Sequence, residues 1–556
     1  MNREKSEMIK KSIWVLIITP FILFFFGFVV SKTDVYFEVA KNIDIFTRVY
    51  KEIAFNYVED ISPEQFLRAG IRGMLSTLDP YTVFIDEKRK DDIDLLTNGK
   101  YGGVGVSIGL RDEKITILEL MDGYAAQRQG IMIGDIILKV DSVLINIDNF
   151  DDISLHVKGK PGTFVGITIL RNTKDTLQFN LLREEIIIKN ISFCDFYPEE
   201  SNNVYIKLIG FGRSSGEELK KATLELKKKK EIKSVILDLR GNPGGLLDAA
   251  VEVSGKFLKK GELIVSTKGR DTTNIKYYYS QQEPVLPEIP LVVLVNEGSA
   301  SASEIVAGAL QDHDRGLIIG TKTFGKGLVQ TITPLSYNTS LKITTSKYYT
   351  PSGRSIQKID YSKKNPVFTK EDGHLVTPYL TDNKRVVYSW GGITPDSIMN
   401  FEVRSDLLSE LFAKGLIFKF ATEYHEVNKE INFDKLSQEK LISDFLKFLK
   451  KENFELKGKG YSLIDNFDSE VKDLNKYSQI KNEITKIKEE LSKIYFDELS
   501  VHKEYLIGEI TDELSKRYLS KEKSFVIKLN NDRLIKESIN MLQNDYNYYK
   551  VLNRVR

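Results

Sequence analysis

The chain is poor in the residues that build most metal and redox sites. Its 556 residues include one cysteine, Cys194. A single cysteine cannot close an intramolecular disulfide, and it excludes a Cys-rich zinc or iron–sulfur site. Five histidines (His156, His313, His374, His425 and His502) are scattered over the length, which argues against a His-cluster metal site. No cofactor or metal is expected. Neither sign of charge dominates: Lys+Arg 80 against Asp+Glu 78 gives a net charge of +2. There is therefore no global electrostatic footprint for nucleic acid. The one basic run, Lys227–Lys230, follows Leu224 and Leu226 at the end of an expected helix, where cations meet a favourable dipole. Solenoid-length repeats and sustained heptads are absent. What remains is globular in character, 41% hydrophobic and 28% charged, and long enough for several domains.

One long apolar run stands out. Between Ser12 and Ser31 there is no charged residue, and Arg3, Lys5, Lys10 and Lys11 precede the run. Its apolar stretch, IWVLIITPFILFFFGFVV, would span roughly 27 Å as a helix, close to the hydrocarbon thickness of a bilayer. A cleaved signal peptide and a buried core helix are the rival readings. The Gly27–Ser31 stretch makes a poor cleavage site, and a core helix rarely sits at a basic terminus. The expectation is an uncleaved anchor in residues 1–33, with a cytoplasmic tip and everything after Lys32 outside.

Residues 34–95 read as helical. Val39, Ile43, Phe46, Val49, Tyr50 and Ile53 recur at helical spacing. Ser62-Pro63-Glu64 has the form of a helix start, and Leu78-Asp79-Pro80 of a stop. Residues 96–183 alternate short apolar runs with glycine, which predicts a compact β-rich module with one or two short helices. Residues 184–400 contain SVILDLRGNPGG and PLVVLVNEGSASASEIVAGALQ. Each is a continuous apolar strand, then a small-residue turn, then a helix, the pattern of a parallel sheet buried on both faces. Residues 401–556 turn Lys/Glu/Leu-rich with helical periodicity and predict a helical domain.

The sharpest segment is Asn296-Glu297-Gly298-Ser299-Ala300-Ser301-Ala302-Ser303-Glu304, between the strand Leu291–Val295 and a helix expected to begin near Ser303. A serine on such a turn can be a nucleophile beside helix N–H groups that hold an oxyanion. It can equally be a plain N-cap, and this segment leaves both readings open. His313 would lie about 18 Å along the helix from Ser301, so a Ser-His-Asp triad is disfavoured. A lysine held neutral by burial can replace the histidine. Lys326, between Gly325 and Gly327 in TFGKGLVQ, is the candidate, although most lysines in so lysine-rich a chain lie on the surface.

These two segments, Gly298–Ile305 and Phe324–Gln330, resemble the carboxy-terminal processing (tail-specific) proteases, a family of Ser/Lys peptidases. So do Tyr57, Gly73-Met74-Leu75, Tyr101–Gly105, Asp238–Gly245, Leu341–Arg354 and Gly392–Asp396, so the likeness covers roughly residues 40–400 in the family's order. It implies Ser301 as nucleophile, Lys326 as general base and Gln330 as the residue orienting the amine. Lys326 and Gln330, four positions apart, would meet on a helical turn and not on a strand. The oxyanion hole would combine Ala302 N–H with one from Gly244 or Gly245. Asp312 matches a position of some importance in relatives, but lies too far along the helix to touch Ser301 and is assigned a structural role. The β-rich module resembles a PDZ domain, with Gly102, Gly103, Val104, Gly105 and Val106 supplying N–H groups to a substrate's terminal carboxylate.

The implied fold is multidomain α+β: membrane helix and helical segment, PDZ-like module, crotonase/ClpP-like α/β protease core, C-terminal helical domain. The implied function is a membrane-anchored serine endopeptidase with its catalytic domains in the periplasm or extracytoplasmic space, cleaving proteins with apolar C-termini. No nucleic-acid partner is expected. For residues 401–556 three expectations stay open: the helices dock on the protease, join two copies into a homo-oligomer, or bind an adaptor. Two other classes compete. A silent PDZ scaffold would be free to lose Ser301, Lys326 or Gln330, yet all three are present. An acyl-CoA enzyme of crotonase type would need nucleotide recognition and no serine nucleophile.

Overall fold

The computed structural model describes residues 35–87, 99–172, 174–271, 273–361, 367–368, 377–389, 391–401, 405–454, 459–473 and 477–553. The apolar run between Ser12 and Ser31 lies outside them. Among the described residues no helix is long and apolar enough to cross a membrane.

Two compact units divide the chain near residue 84. In the first, residues 35–56 are helical and a second helix runs Pro63–Leu75. Its start follows from local chemistry: Ser62 Oγ accepts the Gln65 N–H at 3.4 Å and Pro63 takes the first helical position. Tyr50 joins the two helices by donating its hydroxyl to Pro63 O at 2.9 Å and packing on Phe66.

In the second unit, the strands Val106–Arg111, Lys114–Leu120, Ile136–Val140, Phe164–Arg171 and Asp175–Leu182 form an antiparallel sheet in that order. It wraps its own core of Val104, Ile117, Ile137, Val140, Val165 and Ile167. A two-stranded ribbon, Lys100–Gly103 with Glu184–Ile187, closes the base of this module.

The central sheet has six strands in the order Ile191–Phe196, Asn203–Leu208, Ser234–Asp238, Leu291–Val295, Leu317–Gly320 and Ser397–Ile398. All neighbours are parallel except the first pair. Every residue of Ser234–Asp238 and Leu291–Val295 is buried, as the apolar runs Val235–Leu237 and Leu291–Val295 without alternation demand. The two-residue period sorts their side chains. Val235, Leu237, Leu291, Val293 and Val295 face one core with the helices Leu247–Ser254 and Ala302–Asp312. Ile236, Val292 and Leu294 face a second core, filled by Leu529, Leu534, Ile535, Ile539, Leu542, Tyr548 and Leu552. The chain's last three helices, Lys521–Asn531, Arg533–Gln543 and Asp545–Val551, thus cover the sheet's second face. Tyr548 pins them: its hydroxyl lies 2.8 Å from Leu291 N and 3.1 Å from Leu291 O.

Helices Asp406–Ala413, Leu416–Val427, Gln438–Lys451 and Lys503–Tyr518 hold a separate core around Phe420, Phe445 and Leu506. A further antiparallel set pairs Leu263–Gly269 with Ile275–Tyr279 and with Ser340–Tyr349, which also pairs with Leu328–Pro334.

Candidate active site

The strand Leu291–Val295 ends in a turn whose geometry is fixed by side chains of the turn itself. Asn296 Oδ1 accepts N–H groups from Gly298 and Gly241, at 3.1 and 2.8 Å. Ser299 Oγ donates to Leu239 O at 2.8 Å, and Ser303 Oγ to Asn242 O at 2.9 Å. The turn is therefore laced to the neighbouring glycine turn, residues 239–245. The helix starts at Ala302, one residue before the position expected, and Ser301 is its N-cap. Ser301 has φ 56° and ψ −111°, a conformation a non-glycine residue holds only when its surroundings impose it. The backbone thus makes a strained strand-to-helix elbow at Ser301, a turn of the kind that carries nucleophilic serines in hydrolases.

Gly244 and Gly245 make the close approach possible. A Cβ on Gly244 would sit 2.7 Å from Ala300 O and 2.9 Å from both Ala302 N and Ser301 Cβ. One on Gly245 would sit 2.3 Å from Phe211 O, and both residues have positive φ, 100° and 155°. The two expected oxyanion donors differ. The Gly244 N–H is already given to Asn242 Oδ1 at 2.9 Å, which corrects the expectation that it could serve. Gly245 N–H and Ala302 N–H have no acceptor among the described residues.

Lys326 lies on a loop and is partly buried. Glu304 ties that loop to the Ser301 elbow by accepting four hydrogen bonds, three of them from the loop. Glu304, 0% exposed, accepts through Oε1 from Thr323 Oγ1 at 2.6 Å and Gly325 N at 2.7 Å. Through Oε2 it accepts from Ser301 N and Lys326 N, both at 2.9 Å. Burial pushes the Glu304 carboxyl up to about 7, against the pull of these four donors, Thr323 foremost. Tyr348, 1% exposed, brings its hydroxyl to 3.1 Å from Ser301 O and 2.6 Å from Lys326 O. One carboxylate oxygen and one hydroxyl thus bridge residues 25 positions apart in sequence, amide to amide and carbonyl to carbonyl.

Gln330 does not lie on a helical turn. It belongs to the strand Leu328–Pro334, beside a register shift at Val329/Gln330, and its Nε2 donates to Thr344 Oγ1 at 3.1 Å. The glycines flanking Lys326 free the chain for this extended path, and pairing with Ser340–Tyr349 overrides the helical spacing. His313 is far from the elbow, at the other end of Ala302–Asp312. Its Nδ1 meets Asp382 at 2.8 Å and its Nε2 meets Leu263 O at 2.7 Å. Asp312 is structural: it pairs with Arg354 at 2.7 Å, both side chains 1% exposed, and accepts from Ser352 N at 3.0 Å.

In the β module Gly103 pairs opposite Glu184, and Val104 is buried with its carbonyl accepting Ala126 N–H at 3.1 Å. Gly105 O accepts Met121 N–H at 2.9 Å, and Val106 opens the strand at the sheet's edge. Among the described residues no group of three or more His, Cys, Asp or Glu side chains could hold a metal ion.

Sequence reasoning missed Glu304 and Tyr348. The spacing Ser301-x-x-Glu304 is a capping-box signature, which signals the Glu304 bond to Ser301 N. Nothing local signals its bonds to Gly325 and Lys326.

The chain is similar to known proteins over most of its length. The family model described as Peptidase family S41 matches residues 202–363. The models for a probable PDZ-protease C-terminal helical domain and for the activating protease CtpB N-terminal domain match residues 407–542 and 29–89. The carboxy-terminal-processing protease of Bartonella bacilliformis is 38% identical over 355 residues, 62% of this chain and 80% of that one. A probable CtpA-like serine protease of Staphylococcus aureus is 33% identical over 328 residues, 59% and 64% of the two chains. Among solved structures, the photosystem II D1 C-terminal processing protease is 26% identical, covering 64% of this chain and 93% of that one, with a TM-score of 0.36. With its S41 core and C-terminal helical domain, the chain belongs to the carboxy-terminal-processing proteases of peptidase family S41 and is a serine-type peptidase.

Proposed function

We propose that Ser301 is the nucleophile of this peptidase and Lys326 its general base. The observation that carries the reading is the shared bridge: Glu304 Oε2 and the Tyr348 hydroxyl each bind the backbones of both residues. In this mechanism the neutral Lys326 amine takes the hydroxyl proton as Ser301 Oγ attacks the scissile carbonyl. Ala302 N–H and Gly245 N–H receive the oxyanion. The lysinium returns its proton to the leaving amine, the C–N bond breaks, and Ser301 carries the acyl group. Water, deprotonated by the same amine, then releases the acid. Gln330 keeps a smaller part than expected, holding the strand that follows the base.

The β module is proposed as a PDZ domain that selects substrates by their tails. Its strand Val106–Arg111 lies at the sheet's edge, where an apolar C-terminal segment can add as a further strand. The run ending at Val30 is proposed as a single-pass inner-membrane anchor, with the peptidase on the extracytoplasmic side.

Rapid quenching of a reaction with an activated peptide ester, followed by peptide mapping, tests the nucleophile. The acyl group is expected on Ser301, and an acyl group on any other residue overturns the assignment. Tail selection is tested by amidating the substrate's C-terminus, which should slow degradation. Equal rates for free and amidated tails would remove the PDZ role.

A further inference from the structure

The glycine turn that faces Ser301 is held from its other side by the C-terminal helical domain. Asp238 ends its strand with a side chain 1% exposed. Arg240 Nε lies 3.1 Å from both Asp238 oxygens, and Arg240 Nη2 lies 2.6 Å from Oδ2. Lys207 Nζ donates to Asp238 Oδ1 at 3.1 Å and to the Arg240 carbonyl at 2.6 Å. Two cations therefore surround one buried carboxylate. The second anion comes from a distant part of the chain: Asp532 Oδ2 sits 2.8 Å from Arg240 Nη2. The other oxygen of Asp532 caps the helix Arg533–Gln543, accepting from Leu534 N at 2.9 Å and Ile535 N at 3.3 Å. That helix packs on the sheet's second face through Leu534, Ile535 and Ile539.

Arg240 is followed at once by the residues that meet the elbow. Gly241 N donates to Asn296 Oδ1, and Asn242 O accepts from Ala300 N at 3.1 Å and Ser303 Oγ at 2.9 Å. Gly244 and Gly245 come next. A shift of the Arg240 side chain toward Asp238 alone would pull on the first residue of this hydrogen-bonded turn.

We propose that Asp532 is a positioning residue: by balancing Arg240 it sets the Gly241–Gly245 turn against Ser301, so that the C-terminal helical domain tunes oxyanion stabilisation. The inference rests on the Ser301 reading above. The two functions of Asp532 fall on different oxygens, so they can be separated. Asparagine keeps the cap and loses the charge, whereas glutamate keeps the charge and weakens the cap.

The test uses the full chain, an unfolded protein with an apolar tail as substrate, and thermal melting. Asp532→Asn should lower kcat about tenfold with KM within about twofold and Tm nearly unchanged, the size expected for one lost charge-assisted contact. Asp532→Glu should recover kcat to within about threefold of wild type while lowering Tm by several degrees. Adding Asp532→Asn to Arg240→Gln should cost nothing further, because the two act as one unit. Wild-type kcat in Asp532→Asn, a fall in kcat that tracks Tm in both variants, or additive losses in the double variant would overturn the proposal. Ser301→Ala separates the two readings. An inactive Ser301→Ala beside a fully active Asp532→Asn removes this inference alone. An active Ser301→Ala removes the nucleophile and this inference with it.

Discussion

Ser301 and Lys326 share two backbone partners: Glu304 Oε2 accepts the N–H of each at 2.9 Å, and the Tyr348 hydroxyl reaches the carbonyl of each. A proton can pass between two side chains only if their backbones are held in register, since a misplacement of about 1 Å can cost about a hundredfold in rate. The bridge fixes that register inside the fold, before any substrate arrives.

Glu304→Gln tests the acidic half of the bridge. An amide keeps one accepting oxygen for the four donors, so either Ser301 N and Lys326 N or Thr323 Oγ1 and Gly325 N face an NH2 group and the elbow and loop are no longer held together as before. The variant should lose about a hundredfold in kcat with a smaller change in KM, measured on a tail-bearing unfolded protein. A variant within about twofold of wild type would show that the carboxylate does not align the two residues.

Tyr348→Phe removes the other half while keeping the ring in the core. Loss of one hydroxyl shared between two carbonyls should cost about 1 kcal/mol of stability and lower kcat several-fold. Chemical denaturation and steady-state kinetics read the two effects separately.

Glu304 also gives the protein a pH signature. Burial lifts its carboxyl from 4.5 to about 7. Between those values the unfolded chain has released the proton while the folded chain keeps it, so the folded state binds more protons. Stability then falls as pH rises, by about 3 kcal/mol in all, with the penalty absent below the unfolded value and complete above about 7. Activity should move the opposite way, rising through the same window as an ionised Glu304 takes all four donors. Denaturant midpoints from pH 4.5 to 7.5 should show this slope in the wild type and a flatter one in Glu304→Gln. Equal slopes in the two proteins would contradict the assignment.

Much of this arrangement was legible in the sequence. Ser62-Pro63 marked a helix start, the apolar runs Val235–Leu237 and Leu291–Val295 marked strands buried on both faces, and the small residues around Ser301 marked a strand-to-helix turn. What stayed hidden depends on contacts between distant segments. Four-residue spacing put Gln330 on a helical turn with Lys326, but pairing with Ser340–Tyr349 makes it a strand residue. Helical periodicity predicted a domain over residues 401–556 without choosing the surface it covers, and the protease sheet takes the apolar face of Arg533–Gln543. The one local bond of Glu304, to Ser301 N, is a cap; its bonds to Gly325 and Lys326 require the folded chain.

The same packing makes the last helices part of the protease core. Ile535 is fully buried against the sheet's second face. Ile535→Ala should destabilise the protein by about 2–5 kcal/mol and lower peptidase activity at elevated temperature along with it. A variant that melts like the wild type would show that these helices contribute little to the sheet's stability.

The most direct test compares wild type, Ser301→Ala and Lys326→Ala as full-length proteins degrading the same apolar-tailed unfolded substrate. With nucleophile and base acting as one unit, each variant should lose at least about a thousandfold in kcat/KM while melting close to wild type. Degradation at near wild-type rate by either folded variant would contradict the Ser301–Lys326 mechanism.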